Sequence, residues 1–544
     1  MPAQPSEEFD YVVVGSGAAG AIVASRLSED PAVTVCLLEA GGRNTSPWLH
    51  IPAGFIKVVR NPAWTWQFSA EPGAWTAQRA IALPQGRTLG GTTSINGMIY
   101  NRGQADDFLA WSSLGVRGWS YEDVLPYFKR SERWLGADDS AFHGREGSIA
   151  VSRSPWRSDL CDAFIEAAGE EGIPRNDDYN GATQAGAGYF QRTIDGRWRS
   201  AVATTYLKRA RGRPNLSILT RAHAQSLLFG LADQPRRATG VAYLRGGRPL
   251  QVRARREVIV SCGALNTPGL LELSGIGDPA RLAAAGIAAR HALPGVGENL
   301  ADHYGVRVVA RVKNARTINE MARGAGLLRE IGRWLLDRPN VLAVSPSIVH
   351  WFAMSAHADG RPDLQGVFTP ASYKDGAIGV LDDFPGMTAG VWPHRPRSRG
   401  SVHVESPDPM QAPRIRPNYL SDELDRRVLL DGIRKARAVL RAPAMRRYFV
   451  EETMPGEAGG SDEALLDFAA RYGASAQHLV GTARVGAPAD AAAVVDERLR
   501  LIGLEGVRIA DASVIPGTPS ANTCAAAMMV GERAADMIRE DGRR

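Results

Sequence analysis

Cysteine is scarce in this chain. Four residues, Cys36, Cys161, Cys262 and Cys524, are spread over 544 positions with no CxxC pair. That spacing excludes a disulfide framework and a cysteine-bound metal, so independent reduced thiols and no metal are expected. Long apolar runs are missing too. No stretch reaches the roughly 18 consecutive apolar residues that span a bilayer. The opening MPAQPSEEFDYVVVGSG places Glu7, Glu8 and Asp10 where an export signal carries basic residues. A cytoplasmic protein is expected, with peripheral membrane association left open and no transmembrane segment. No run of one charge occurs: 64 basic residues against 58 acidic ones leave a net +6. Scattered in this way, the charge excludes an obvious nucleic-acid surface. Gly (58) and Pro (33) are too few for a disordered or collagenous chain, and 44% apolar with 22% charged residues is ordinary globular composition. The length corresponds to about three or four domain equivalents. Neither an internal repeat nor a low-complexity tract breaks it up.

The first readable unit is a β-branched run from Tyr11 to Val14, the turn GSGAAG from Gly15 to Gly20, a helical AIVASRLSED, and a second strand from Val33 to Leu38 ending at Glu39. Glycine permits the sharp turn at Gly15, the approach of a pyrophosphate at Gly17 and close helix-strand packing at Gly20. The helix N-terminus is then aimed at the phosphates. Glu39, at the end of the second strand, stands where a carboxylate accepts from an adenosine ribose hydroxyl. A glycine turn that merely joined two core elements would leave that acid without a partner. A dinucleotide site is therefore expected here.

A second cluster, GRTLGGTTSINGMIYNRG from Gly86 to Gly103, follows the tryptophans Trp64 and Trp66. Its glycines, hydroxyls and Asn96 are turn chemistry with exposed backbone N–H groups. Met98, Ile99 and Tyr100 interleave apolar side chains that can lie along a flat ring. The segments around 215–229, 239–244 and 250–260 read as successive strands, the last ending in small residues from Ser261 to Ala264 that can pass close under a nucleotide. Pro294, Gly295 and Gly297 punctuate a crossing into another unit. Residues 306–465 alternate strand-like and helical pieces without a catalytic motif, which suits a substrate-covering domain. Trp351, Phe352, Phe368 and Trp392 are candidates there for substrate walls, although most should be core. The C-terminal part returns to clear signals: QHLVGTARVG, the strand-like VRIADASVIP, and a helix with candidate caps at Ser520, Asn522 and Thr523. A glycine fingerprint at one end, and a strand and helix ready to complete the same sheet at the other, favour FAD over a nicotinamide cofactor. His478, between glycine- and threonine-rich segments, is the histidine best placed for acid-base work.

Taken together, GSGAAG with Glu39, the 86–103 loop, CGALNTPGLLELSGIG, PGVGENLADH, PRSRGSVHVESPDPMQAPRIRPNYLSD, HLVGTARVG and VRIADASVIPGTPSANTCAAAMMVGE resemble the glucose-methanol-choline (GMC) family of flavin oxidoreductases over nearly the whole chain. The likeness is greatest to bacterial choline-dehydrogenase-like, aliphatic-alcohol and L-sorbose dehydrogenase members. The resemblance implies an α/β fold, α+β overall. A Rossmann-like FAD-binding domain would comprise 1–155, 215–305 and 466–544. A discontinuous substrate-binding domain on an antiparallel sheet would comprise 156–214 and 306–465. It implies His478 as general base and Asn522 as its partner. The cofactor-binding set it implies is Gly15, Gly17, Ala18, Ala19, Gly20, Glu39, Ala40, Trp66, Gly91, Thr92, Asn96, Gly97, Met98, Ala224, Asp511, Ala512, Asn522 and Thr523. Ile95 stands where some relatives carry a histidine tether, so FAD is expected to be non-covalent. The implied reaction is oxidation of an alcohol to an aldehyde or ketone by hydride transfer to the flavin. The closer branch favours a dehydrogenase over an oxidase. Quinone, cytochrome and dioxygen stay open as acceptors, and a hydroxynitrile-lyase-type activity on the same fold is the competing reading. Two positions depart from the family pattern. Gln477 replaces the usual aromatic before the histidine and Leu479 the usual proline after it.

Overall fold

The computed structural model describes residues 7–137, 141–230, 234–374, 379–456 and 459–543. The first six residues, part of the stretch read for an export signal, lie outside them. Two seven-stranded sheets organise the chain. In the first, the run Tyr11–Val14 is fully buried within the strand Glu7–Val14, which pairs in parallel with Val35–Glu39 on one side and Arg248–Val260 on the other. Strands buried on both faces are near-continuous apolar runs, which is how these read. Leu216–Thr220 extends the sheet beyond Val35–Glu39, and the hairpin strands Ala222–Phe229 and Ala238–Arg245 add antiparallel on the far side. The short strand Val507–Ile509 pairs in parallel with Val258–Val260, so the C-terminal segment completes the sheet that the N-terminus begins.

The C-terminal helix Cys524–Asp541 then crosses the helix Gly20–Leu27. A side chain at Gly531 would put a Cβ 2.8 Å from Ala19 Cα, so glycine is needed for that approach. Glu532, buried on the same helix, accepts from Arg26 at 2.9 Å and Arg130 at 2.7 Å. Each fully buried Val, Ile or Leu in this core contributes about 1.5–3 kcal/mol of transfer free energy.

The second sheet is antiparallel throughout, in the order Phe449–Met454, Tyr304–Val312, Gly386–Pro393, Leu364–Thr369, Val349–Ala353 and Gly186–Tyr189. Ala474–Ser475 pairs with the start of Tyr304–Val312. One face packs on the helix Glu423–Arg441, where a Cβ on Gly432 would meet Val391 at 2.7 Å. Pleating sends the next residue, Trp392, to the opposite face. The paired residues Trp392, Gln365 and Phe352 therefore form one row on that second face. Trp351 and Phe368 belong to the core side, Phe368 stacking on Phe164 at 4.1 Å.

Candidate active site

Between the two sheets lies a cavity of about 860 Å³ that begins at the glycine turn and ends at His478 and Asn522. The turn is built as its glycines require. Gly15 has φ +98°, and a Cβ there would lie 2.3 Å from the Ser261 carbonyl oxygen. A Cβ on Gly20 would come within 2.0 Å of the Gly15 oxygen, so helix and strand meet directly. Gly17 is different: a Cβ on it would touch nothing within 4 Å, and its backbone faces the cavity beside the start of the helix. This is the cradle a diphosphate requires. Glu39 is buried at the edge of the cradle. One of its carboxylate oxygens accepts from Ser16 N at 3.1 Å and Ser16 Oγ at 2.5 Å, the other from Gly41 N at 2.7 Å. Burial pushes its pKa up against the pull of those donors. A carboxylate has about four acceptor sites, so capacity is left for a ribose hydroxyl.

The glycine-rich loop takes the 3-10 turn Gly91–Ser94 and runs on past Asn96, whose Oδ1 accepts from Met98 N at 3.1 Å and from Arg199 Nη1 at 2.7 Å. Burial away from carboxylates lowers the Arg199 pKa to about 9. Asn96 Nδ2 points at Cys524 Sγ, 3.6 Å away; burial raises that thiol to about 11, and it packs as a neutral group. Asp511 closes the far side. It accepts from Gly263 N, Thr267 Oγ1, Ser513 N and Ser513 Oγ, tying the last strand of the first sheet to the turn after Val260.

His478 is held by an adjoining strip of chain. Residues 476–480 run antiparallel to 301–303: Ala476 N donates to His303 O at 2.8 Å, and Val480 exchanges bonds with Ala301. Asp302 accepts from His478 N at 2.7 Å through one oxygen, and from Tyr419 Oη at 2.6 Å and Ser475 Oγ at 2.5 Å through the other. Burial raises the Asp302 pKa to about 6. Gln477 takes φ +66°, a left-handed conformation rare outside glycine and concentrated at functional sites. Its N bonds Ser475 Oγ and its side chain bonds Ala82 O.

The ring nitrogens can be assigned one by one. His303 Nε2 lies 2.6 Å from the His394 carbonyl oxygen, which can only accept, so Nε2 carries hydrogen. Burial lowers the His303 pKa to about 4, leaving the ring neutral and Nδ1 bare. His478 Nδ1, 2.9 Å away, must then be the donor. That leaves His478 Nε2 as an acceptor, and Asn522 Nδ2 donates to it at 2.9 Å. Gln365 Nε2 donates to Asn522 Oδ1 at 3.0 Å and so fixes the orientation of that amide. Burial, then the neighbouring His303, holds the His478 pKa well below its ordinary value. The outcome is a neutral base nitrogen beside an amide donor, the two complementary halves that a hydroxyl group needs. Trp392 Nε1, on the cavity wall, and Gln365 Oε1 have no hydrogen-bond partner among the described residues.

The structure brings His478 together with Gly15, Gly17, Ala18, Ala19, Glu39, Ala40, Trp66, Gly91, Thr92, Asn96, Gly97, Met98, Ala224, Asp511, Ala512, Asn522 and Thr523 on this one cavity, whereas Gly20 sits behind the wall in a packing role. Of the four aromatic candidates Trp392 lines it, and Phe352 belongs to a small cluster with Tyr179 and Phe190. The expected helix caps are not made. Ser520 is bound to Asp107 away from the cavity, Asn522 is bound to His478, and Thr523 makes no side-chain cap bond. Asp302, His303, Ser16, Gln365 and Arg199 escaped the sequence reading. Asp302 and His303 had a signal, the PGVGENLADH motif that contains both; Gln365 had none.

The glycine cradle and the His478–Asn522 pair thus share one cavity, an arrangement suited to an oxidoreductase with a dinucleotide cofactor. The chain belongs to the GMC oxidoreductases: the family's N-terminal model matches residues 9–305 and its C-terminal model residues 396–531. It is 37% identical to an alcohol dehydrogenase [acceptor] of Pseudomonas putida, covering 97% of this chain and 95% of that one. It is also 37% identical to an oxygen-dependent choline dehydrogenase of Photobacterium profundum, covering 97% and 93%. Among solved structures, a formate oxidase of Aspergillus oryzae studied for its FAD superposes with a TM-score of 0.91 at 27% identity, covering 99% and 100%. FAD is the cofactor of this family, and the cradle, Glu39 and the flat-walled loop fit it. Among the described residues no group of His, Cys, Asp and Glu could hold a metal, and no helix is long and apolar enough to cross a membrane.

Proposed function

We propose that this protein is an FAD-dependent alcohol dehydrogenase in which His478 is the general base and Asn522 positions the alcohol. The observation that carries this reading is the assigned pair of His478 Nε2 as acceptor and Asn522 Nδ2 as donor, 2.9 Å apart on the cavity wall. An alcohol that takes the place of this bond donates its O–H to the imidazole and accepts from the amide, fixing its oxygen and leaving the carbinol carbon facing the cavity. When bound, FAD supplies the two-electron acceptor for the carbinol hydrogen. As the C–H bond breaks, His478 Nε2 takes the hydroxyl proton, and Asn522 Nδ2–H stabilises the charge that grows on oxygen. The positive end of the helix Cys524–Asp541 opens on the same cavity and favours negative charge there by about 0.3–2 kcal/mol.

Residues 1–155, 215–305 and 466–544 hold the cofactor in this reading, and 156–214 with 306–465 cover the substrate. The FAD is non-covalent: apolar, buried Ile95 offers no nucleophile for a tether. The substrate is an uncharged alcohol rather than a quaternary ammonium. Among the described cavity residues the only carboxylates are Glu39 and Asp511, and both are already bonded to the protein's own backbone.

Anaerobic mixing with a panel of alcohols tests the proposal. An uncharged alcohol should bleach the visible flavin band faster than choline does, and an artificial dye should restore the band faster than air. His478→Ala should keep its yellow colour and slow bleaching by about a hundred- to ten-thousand-fold. Bleaching by no alcohol, or an unchanged rate in the variant, would overturn it.

A further inference from the structure

The helix Gly324–Leu335 is inverted relative to an ordinary surface helix, which buries its apolar stripe. Its one buried residue is Glu330, whose carboxylate accepts from Val341 N at 3.0 Å and pairs with Arg333 at 3.4 Å. Three of its apolar residues point outward. Leu328, Ile331 and Leu335, spaced to share one face, are 71%, 38% and 63% exposed, and Leu336 just beyond the helix is 68% exposed. The inverted orientation is anchored. Arg197 donates to the carbonyls of Trp334 at 2.5 Å and Leu335 at 2.9 Å, and Trp198, itself 41% exposed, packs edge-on against Trp334 at 4.9 Å.

The charge around this face has one dominant sign. Arg329 and Arg338 are exposed on and beside the helix, Arg333 is half-buried against Glu330, and Arg323 is already paired with the exposed Asp383 at 3.0 Å. Of the two acids between Arg323 and Arg338, Glu330 is turned inward and only Asp337 is exposed. An exposed leucine face rimmed by arginines, with a tryptophan pair at its end, matches a helix that lies in the headgroup region of an anionic bilayer. A second copy of this chain fits poorly, because a two-fold contact would set these arginines against themselves. We propose that Gly324–Leu335 docks the enzyme on an anionic phospholipid surface. The chain leaving the helix passes through Val341–Ala343 to Pro346 and Ser347, which line the cavity, so docking holds the substrate chamber near the lipid phase, where apolar alcohols and lipid-soluble electron acceptors partition.

Co-sedimentation of the purified holoenzyme with vesicles tests this. The protein should pellet with mixed phosphatidylglycerol-phosphatidylcholine vesicles, less with phosphatidylcholine alone, and less again as salt is raised. The variant Leu328→Glu with Leu335→Glu changes only exposed positions outside the catalytic machinery. It should keep dye-coupled activity and bind the anionic vesicles more than about ten-fold more weakly. Arg329→Ala and Arg338→Ala should each weaken binding about five-fold. Failure of the wild type to pellet, or equal pelleting of the double glutamate variant, overturns the proposal. A wild-type dimer that this variant dissociates overturns it in favour of a second copy on the same face.

Discussion

Replacing His303 tests the tautomer assignment at the base. In the native site the His394 carbonyl fixes the proton of His303 on Nε2, which in turn fixes the proton of His478 on Nδ1. His303→Leu removes the acceptor facing that Nδ1. The ring of His478 then either buries an unpaired N–H or takes the opposite tautomer, which sets Nε2–H against the Nδ2–H of Asn522. Leaving a buried donor unpaired costs about 1–3 kcal/mol. A cost of that size, at about 1.4 kcal/mol per decade, lowers the rate of alcohol oxidation roughly ten- to a hundred-fold. His303→Asn is the control. Its amide oxygen can replace Nδ1 as the acceptor, but its shorter side chain cannot reach the His394 carbonyl. Both variants therefore lose the same stabilising bond, and only the leucine loses control of the tautomer. Stopped-flow bleaching under anaerobic conditions reads the rate, thermal unfolding reads the stability, and visible absorbance reads the flavin content. The expected result is two variants of similar stability and normal colour, with the asparagine within about three-fold of wild type and the leucine far slower. Equal rates in the two variants would refute the tautomer argument and leave His303 a packing residue.

The glycines of the cradle should separate in their effects. Gly15→Ala, at φ +98° with a Cβ 2.3 Å from the Ser261 oxygen, should destabilise the fold by about 2–4 kcal/mol. Gly17→Ala, whose Cβ meets nothing within 4 Å, should keep its melting temperature without cofactor and yet retain less FAD; equal melting temperatures for the two cofactor-free variants would count against this. The pH profile should follow the buried imidazole. Because the His478 pKa is held well below 6.5, the neutral base persists as pH falls through 6.5 and is lost only further into the acid range. An inflection of kcat/KM at or above 6.5 would mean that the base is not this one.

The sequence made the phosphate turn legible because its requirements are local: Gly15, Gly17 and Gly20 answer to backbone sterics within six residues, and Glu39 follows at the next strand end. His478 and Asn522 stood out through family resemblance and the polar segments around them. What stayed hidden depends on register. Trp351 and Trp392 are both buried tryptophans in β-rich segments, yet one lies on the core face of the sheet and the other faces the cavity. That difference is set by the pleat phase of each strand, which pairing decides and composition does not. Gln365 reaches Asn522 across 157 positions for the same reason. The cap expectation failed because a side chain that suits a helix start also suits a site, and here tertiary bonding decided between the two uses.

The strip 301–303 explains why one imidazole can be held so fully. Adjacent residues of an extended strand point to opposite sides, and here each side grips a different part of His478. Asp302 takes the backbone N–H, while His303 takes the ring. The division has an electrostatic consequence. In a serine-protease triad the carboxylate lies on the histidine Nδ1–H and stabilises the imidazolium. Here, among the described residues, the neighbour hydrogen-bonded to Nδ1 is a second neutral imidazole, and the carboxylate of Asp302 is spent on the backbone and on two hydroxyls. His478 is thus fixed in orientation without being made strongly basic. In the proposed reaction it would accept a hydrogen bond from a bound alcohol without deprotonating it in the ground state, and proton transfer would become favourable only as the C–H bond breaks and the oxygen substituent turns carbonyl-like. A site arranged in this way discriminates by whether the bound hydroxyl carries a transferable carbinol hydrogen, rather than by the acidity of the hydroxyl.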